Sequence, residues 1–249
     1  MTAPLRVAFV GKGGAGKSLV AATCARLIAA RGAPVLAVDL DTMPGLTLSL
    51  GAGDLREASL PDDLAEQREG QGWVMKEPVS ARALVDSYAR LAPDGVRVLT
   101  LGKLPGEWRP GATVALRHVL RTLDAPDWTV IGDLPAGTRQ PAFGWTEFAR
   151  LVAVVVEPTA MSVLSGRRIA TLLATRWPDR RIGVVVSKAR PGDDPAAVAR
   201  AVGPELLGSV PYDDDVRSAE QAGRAPFDAA PRSRAVEAVR RLVAALEAR

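Results

Sequence analysis

The amino-acid sequence predicts an α/β fold, in which a doubly wound, mainly parallel sheet of about seven or eight strands is flanked by helices. Apolar runs of strand length alternate with longer segments of helical periodicity, which is the pattern of successive β–α–β units. A glycine-rich loop follows the first apolar run and opens a helix, as in the first turn of many such sheets. The seven strands predicted from apolar runs lie near residues 5–10, 34–38, 96–101, 128–133, 151–156, 182–187 and 206–210.

The size and composition of the chain limit the classes of protein it can belong to. It has 249 residues, of which 47% are apolar and 24% charged, so we expect a single domain over residues 1–249 with a polar, variable surface excursion at 51–71. The single cysteine and single histidine cannot build a zinc, nickel or iron–sulfur site within one chain. No signal segment and no membrane-spanning run are evident, so we expect a cytoplasmic protein.

The strongest motif is a phosphate-binding loop between the first predicted strand and the first helix. Residues 11–18, Gly-Lys-Gly-Gly-Ala-Gly-Lys-Ser, match G-x-x-x-x-G-K-[ST] in the strand–loop–helix context that the motif requires. Glycines let backbone N–H groups converge on phosphate oxygens, and the helix N-terminus adds the positive end of its dipole. Lys17 is expected to reach the β- and γ-phosphates and Ser18 to bind Mg²⁺. The predicted nucleotide contacts are Gly11, Gly13, Gly14, Ala15, Gly16, Lys17, Ser18 and Leu19.

A second lysine, Lys12, distinguishes this loop from an ordinary phosphate loop. Residues 12–18 resemble the deviant Walker A ATPases, a group that includes the MinD/ParA family and the CooC-type ATPases that mature carbon monoxide dehydrogenase. The resemblance implies a P-loop NTPase fold that binds ATP and Mg²⁺. It also implies an ATP-dependent homodimer, in which Lys12 reaches the partner's nucleotide and stabilises developing phosphate charge as an arginine finger does. Leu19 stands where the family often has threonine, so only its backbone N–H can contact the α-phosphate.

Two predicted strands end in aspartates. Asp39 and Asp41 follow the second strand, and Asp133 ends the fourth. Ligands bind at the carboxyl ends of parallel strands, so these acids are expected to meet Mg²⁺ and water. The resemblance implies that Asp39 lies near the metal, that Asp41 orients or deprotonates the attacking water, and that Asp133 holds Mg²⁺ through a water.

The resemblance also assigns two switch segments. These are residues 39–44 and 133–143, which follow the acidic strand ends. Gly137 is expected to turn a backbone amide toward the γ-phosphate. Trp145 and Phe148, close behind the second segment, are interpreted as core residues.

The base-binding end departs from the family pattern. Ser187 stands where MinD-like ATPases usually carry the asparagine that contacts adenine, and serine reaches less far. Pro211 and Tyr212 resemble the family's loop beside the base, so all three residues are expected to contact the nucleotide. Arg190 occupies the place at which a GTPase has an aspartate for guanine, which disfavours guanine specificity.

Other residues are interpreted as structural. Cys24 is expected in the core, and His118 is expected to be exposed or to cap a helix rather than to bind a metal. The run Asp213–Asp215 is expected to cap a helix that starts near Val216. The C-terminal helix, near residues 232–248, is amphipathic and expected to pack on the sheet.

Together these features predict a Mg²⁺-dependent ATPase that acts as an ATP-gated homodimeric switch on an unidentified client protein. The resemblance is nearest to CooC-type ATPases, but their Cys-x-Cys pair is absent and residues 106–111 read Gly-Glu-Trp-Arg-Pro-Gly. A ParA-like DNA-associated ATPase and a MinD-like membrane-cycling ATPase remain open. The first has only a small arginine excess near the C-terminus in its favour, and the second is disfavoured by core packing of the last helix. A small-molecule ligase or kinase and a non-hydrolysing nucleotide-binding scaffold also remain open.

Overall fold

A computed structural model of the chain confirms the predicted fold class. It describes residues 4–41, 45–53, 59–102, 109–138, 141, 143–203 and 205–248. The strands are β1 (Arg6–Gly11), β2 (Val35–Asp39), β3 (Ala65–Arg68), β4 (Gly72–Met75), β5 (Arg90–Leu91), β6 (Arg97–Thr100), β7 (Thr129–Asp133), β8 (Leu151–Val156), β9 (Arg181–Ala189) and β10 (Leu206–Pro211). The helices are α1 (Lys17–Ala29), α2 (Gly45–Leu50), α3 (Ala81–Tyr88), α4 (Pro110–Thr122), α5 (Ala160–Arg176), α6 (Pro195–Val202), α7 (Asp214–Gln221), α8 (Pro226–Ala229) and α9 (Arg234–Glu247).

Eight strands of the described chain form one sheet in the order β10-β9-β8-β1-β7-β2-β6-β5. Neighbouring strands run parallel, except that β5 pairs antiparallel with β6 at the edge. The central strands are apolar runs buried on both faces, as expected where helices cover both sides of a parallel sheet. Helices α1 and α9 pack on one face, and α3, α4 and α5 on the other. The four innermost strands, β8, β1, β7 and β2, therefore bring their carboxyl ends to one protected edge.

The expected surface excursion at residues 51–71 is partly built into the fold. Its described residues include β3, which forms an antiparallel hairpin with β4. Leu60 and Ala65 are buried, and an Asp62 carboxylate oxygen accepts the backbone N–H of Ala112 at 3.0 Å near the start of α4. The sequence did not predict this packing because the segment is mostly polar. Only two buried apolar residues and one carboxylate attach it to the rest of the fold.

Four side chains that were interpreted as structural lie within the described fold. Trp145, Phe148 and Cys24 are buried, as expected, and burial raises the pKa of the Cys24 thiol. The prediction for His118 was wrong, because this side chain is half-buried and its Nε2 lies 2.8 Å from the carbonyl oxygen of Val79. It therefore links α4 to the segment that precedes α3.

The C-terminal helix packs as predicted. The apolar residues of α9 are buried against the sheet, and Ser233 caps its first turn. Asp213 caps α7 through Asp215 N–H, as expected, and its second oxygen accepts the N–H of Ala235 in α9. Among the described helices, none combines the length and the apolar character needed to cross a membrane.

Candidate nucleotide site

The phosphate-binding loop lies at the centre of the carboxyl edge, between β1 and α1. Gly11 ends β1 so close to β8 that a Cβ there would collide with the carbonyl group of Val155. Gly16 precedes α1 with a φ of 88°, a left-handed conformation that favours glycine. These two glycines therefore fix the course of the loop and deliver its backbone to the N-terminus of α1.

The two lysines of the loop have opposite surroundings. Lys17 is 7% exposed, and its ammonium donates to the carbonyl oxygen of Lys12 at 3.3 Å. The side chain of Lys12 is exposed, and no carboxylate of the described chain pairs with it. One cation is thus held inside the loop while the other is presented outward.

The predicted metal-binding acids lie side by side. Asp39 and Asp133 occupy paired positions on β2 and β7, and both are almost fully buried. Ser18 Oγ donates to Asp133 Oδ2 at 2.5 Å, while Asp133 Oδ1 is buried without a hydrogen-bond partner among the described atoms. Asp39 accepts the backbone N–H groups of Asp41 and Leu46, each at 3.1 Å.

Burial dominates the electrostatics of this acid pair. It raises the pKa of Asp133 to about 6, although the Ser18 hydrogen bond and the charge of Lys17 oppose the change. Burial, and next the negative charge of Asp133, raise the pKa of Asp39 well above its usual range. A partnerless carboxylate oxygen beside a hydroxyl and a second carboxylate fits the oxygen ligands that Mg²⁺ prefers. The roles assigned to Ser18, Asp39 and Asp133 stay predictions, but their placement suits them.

A cavity of about 670 Å³ extends from the loop to the segments that follow β9 and β10. Leu19, Pro211 and Tyr212 line it, together with Gly14, Gly16, Lys17 and Ser18. Ser187 also borders the cavity but is fully buried. Its Oγ has no hydrogen-bond partner within the described part of the chain and lies 2.8 Å from where a Cβ of Gly16 would be. Its expected contact with the base stays a prediction, and its hydroxyl lies beneath the loop.

Sequence reasoning missed several cationic groups that line the cavity. The Arg190 guanidinium lies over the Tyr212 ring, with Cζ 3.9 Å from the ring centroid, and Arg217 donates to the Tyr212 hydroxyl at 3.1 Å. Lys188 donates to the carbonyl oxygen of Gly14 at 2.5 Å and pairs with Glu157 at 2.8 Å. The only signal in the sequence was the position of Arg190 just after a predicted strand, where a GTPase would have an aspartate.

The second switch segment contacts the phosphate-binding loop through its backbone. The N–H of Gly137 donates to the carbonyl oxygen of Gly11 at 3.2 Å, and the expectation that Gly137 turns a backbone amide toward the γ-phosphate stays a prediction. Residues 42–44 of the first switch and 139, 140 and 142 of the second lie outside the described residues. The same holds for residues 106–108 of the stretch 106–111, which stands in place of the Cys-x-Cys pair.

The sequence that carries the glycine loop and the buried acids matches a known family. The model of the CobQ/CobB/MinD/ParA nucleotide binding domain matches residues 7–227. The chain belongs to this family. Its membership makes the protein an ATP-binding P-loop ATPase of the MinD/ParA type.

Relatives of this MinD/ParA-type protein cover nearly all of its length. It is 31% identical to an uncharacterized ATP-binding protein of Methanocaldococcus jannaschii, over 88% of this chain and 90% of the relative. It is 28% identical to the carbon monoxide dehydrogenase accessory protein CooC of Rhodospirillum rubrum, over 92% of each. Its fold is similar to that of the septum site-determining protein MinD of Pyrococcus horikoshii complexed with Mg-ADP, with a TM-score of 0.68, 19% identity, and coverage of 96% and 94%.

Proposed function

We propose that the protein is a Mg²⁺-dependent ATPase that works as an ATP-gated homodimeric switch. The observation that carries the proposal is the contrast between Lys12 and Lys17. Lys17 is buried inside the loop and suited to the nucleotide of its own chain, whereas the exposed Lys12 side chain is suited to a second copy. A cation delivered by the second copy would stabilise charge that develops on the terminal phosphate.

The remaining parts of the proposed reaction come from the carboxyl edge of the sheet. Ser18, Asp39 and Asp133 are the residues that would hold Mg²⁺, which when bound neutralises charge on the phosphates. Asp41 orients the attacking water. Its position supports this role, since its charge contributes to the raised pKa values of both Asp39 and Asp133.

Two contacts suggest how nucleotide binding is transmitted. Asp39 accepts the N–H of Leu46 at the start of α2, so a ligand at Asp39 is linked to the segment that follows residues 42–44. The Gly137–Gly11 hydrogen bond joins the second switch to the loop itself. In this proposal, ATP binding replaces these two hydrogen bonds with contacts to the nucleotide and so brings two copies together. Slow hydrolysis then separates the copies.

The proposed target of the switch is a client protein, as the name of the CooC relative suggests. The proposal does not include a metal bound by a Cys-x-Cys pair, because the chain has a single cysteine, Cys24, and its side chain is buried. A MinD-like membrane cycle gains no support from α9, whose apolar residues are buried. A non-hydrolysing scaffold would be revealed by the first experiment below.

The first experiment measures phosphate release and molar mass for Lys12→Ala with Mg-ATP. We expect the variant to bind ATP with nearly wild-type affinity, to stay monomeric, and to lose turnover by about 10³-fold, the scale of an arginine-finger contact. Lys76→Ala, which removes another exposed lysine, is the matched control. Normal turnover in Lys12→Ala would refute the trans-lysine mechanism, and no phosphate release from the wild type would leave only a scaffold.

A mixing experiment tests delivery in trans directly. Lys12→Ala and Asp41→Ala each lack one element of a working site, so each alone is expected to be inactive. In a mixed dimer the Asp41→Ala copy supplies Lys12 to a site that still has Asp41. Each mixed dimer has one complete site of two, and Lys12→Ala copies are not expected to pair with one another, so the mixture is expected to recover activity up to about half of the wild-type value. No recovery in mixtures would mean that Lys12 acts within its own chain.

A further inference from the structure

We propose that Arg190, stacked on Tyr212, is the residue that recognises the base, and that it makes the site accept adenine and guanine nucleotides with similar affinity. The inference rests on the proposed nucleotide site and concerns its selectivity. It differs from the adenine contact that the sequence suggested for Ser187.

The position of Arg190 follows from the length of the cavity. With the phosphates held by the loop before α1, the base lies at the other end, between the segments that follow β9 and β10. These segments are joined by the N–H of Tyr212, which donates to the carbonyl oxygen of Ala189 at 2.9 Å. The N–H of Arg190 donates to a carboxylate oxygen of Asp193 at 2.7 Å, which anchors its backbone.

The side chain of Arg190 is held as well as its backbone. Its guanidinium carbon lies 3.9 Å from the centroid of the Tyr212 ring, and Arg217 holds the hydroxyl of that ring at 3.1 Å. A guanidinium offers a planar face on which a base can stack and an edge with N–H donors, and it has no acceptor. Arg190 is exposed within this arrangement, so its outer face and edge are open to a base.

The Ser187 hydroxyl and the Asp213 carboxylate, two acceptors that could favour adenine, are out of reach or occupied. Ser187 Oγ is buried beneath Gly16. Both carboxylate oxygens of Asp213 accept helix N–H groups. Glu220 lies on the same wall of the cavity. Burial raises the pKa of Glu220, and the positive charge of Lys188 opposes this rise. The described base end therefore offers mainly donors, from Arg190 and from two other arginines that line the cavity, Arg217 and Arg224.

A wall of donors distinguishes the purines poorly. Adenine presents the N7 acceptor beside the N6 amino donor, whereas guanine presents N7 and O6, both acceptors. Arginine donors meet N7 in either base and O6 in guanine, and gain nothing from the adenine amino group. Stacking on the guanidinium depends little on which base is bound. Guanine is therefore not excluded, although the sequence lacks the aspartate that a guanine-specific site uses.

Equilibrium binding on the full chain, by calorimetry with Mg²⁺ and a slowly hydrolysed analogue of ATP or GTP, tests the inference. The two wild-type dissociation constants are expected to agree within about tenfold, and Arg190→Ala is expected to weaken both by about fivefold or more. Arg200→Ala, which removes an exposed arginine on α6, is the matched control. A wild-type preference for ATP above about tenfold, or unchanged binding in Arg190→Ala, overturns the inference.

A second variant reverses the chemistry at the same position. Arg190→Asp places a carboxylate that accepts the N1–H and N2–H groups of guanine, so the ratio of GTP to ATP affinity is expected to rise by about tenfold. An unchanged ratio would show that position 190 does not meet the base. Absence of binding of either analogue to the wild type would instead refute the proposed function, so the two failures are distinguishable.

Discussion

The two ends of the nucleotide cavity are built in different ways. At the phosphate end, Lys17, Asp39 and Asp133 are buried on central elements of the fold and bonded to their neighbours. At the base end, Arg190 and Tyr212 lie on segments beyond the sheet, with Arg190 exposed. The difference teaches that phosphate chemistry is fixed by the framework of the fold, whereas base selectivity depends on loop side chains that can change without disturbing it.

The largest expected effect on nucleotide affinity lies at the phosphate end. Lys17→Ala removes the buried ammonium that can form charge-assisted bonds to phosphate oxygens, which corresponds to about a hundredfold loss of ATP affinity. The fold should persist, because the ammonium donates one described hydrogen bond, to Lys12. Calorimetric titration with Mg-ATP analogue measures the loss, and far-ultraviolet circular dichroism checks the fold. Retention of affinity within about threefold would contradict the assignment of Lys17 to the phosphates.

The phosphate end could be predicted from sequence because its residues form a local pattern with a physical cause. The motif has glycine at both positions that require it. A side chain at Gly11 would collide with β8, and Gly16 adopts a left-handed backbone conformation. The meeting of Asp39 with Asp133 followed from their places at the ends of parallel strands. The fold class followed for a similar reason, since strands buried on both faces read as continuous apolar runs.

The base end could not be predicted because its contacts join distant segments. Nothing near Arg190 in sequence indicates that it stacks on Tyr212, and the burial of Ser187 depends on the path of the loop at Gly16. The hairpin of β3 and β4 was missed for a related reason. Its strands are short and β3 is mostly polar. The hairpin is held by the capping contact of Asp62 and the burial of Ala65, which both depend on long-range packing.

A second prediction concerns the stability of the acid pair without metal. In the folded chain Asp133 keeps its proton up to about pH 6, whereas in the unfolded chain it loses it near its ordinary value of about 4. The contribution of Asp133 to the free energy of unfolding should therefore fall as pH rises between these values, by about 2–3 kcal/mol. Asp133→Asn removes this penalty and leaves an oxygen for Ser18, so the metal-free variant should be more stable at pH 7.5 and similar at pH 4.5.

Urea unfolding at both pH values in the presence of a chelator measures this difference. Asp179→Asn, at an exposed aspartate, is the matched control. Added Mg²⁺ is expected to stabilise the wild type and not Asp133→Asn, since ligands that bind the folded state raise its stability. Parallel pH profiles for the wild type and Asp133→Asn would show that the buried carboxylate carries no electrostatic penalty.

The smallest expected effect sharpens the description of the base end. Tyr212→Phe keeps the ring on which Arg190 stacks and removes the hydroxyl that accepts from Arg217. Because Arg217 is exposed, loss of this hydrogen bond is expected to change the affinity for either purine nucleotide by less than about twofold. Tyr212→Ala, which removes the ring, should instead reproduce most of the loss expected for Arg190→Ala. If Tyr212→Phe alone weakened the binding of both nucleotides as strongly as Arg190→Ala, the base would be recognised by the Tyr212 hydroxyl and Arg217. The stacked guanidinium of Arg190 would then make no contribution of its own.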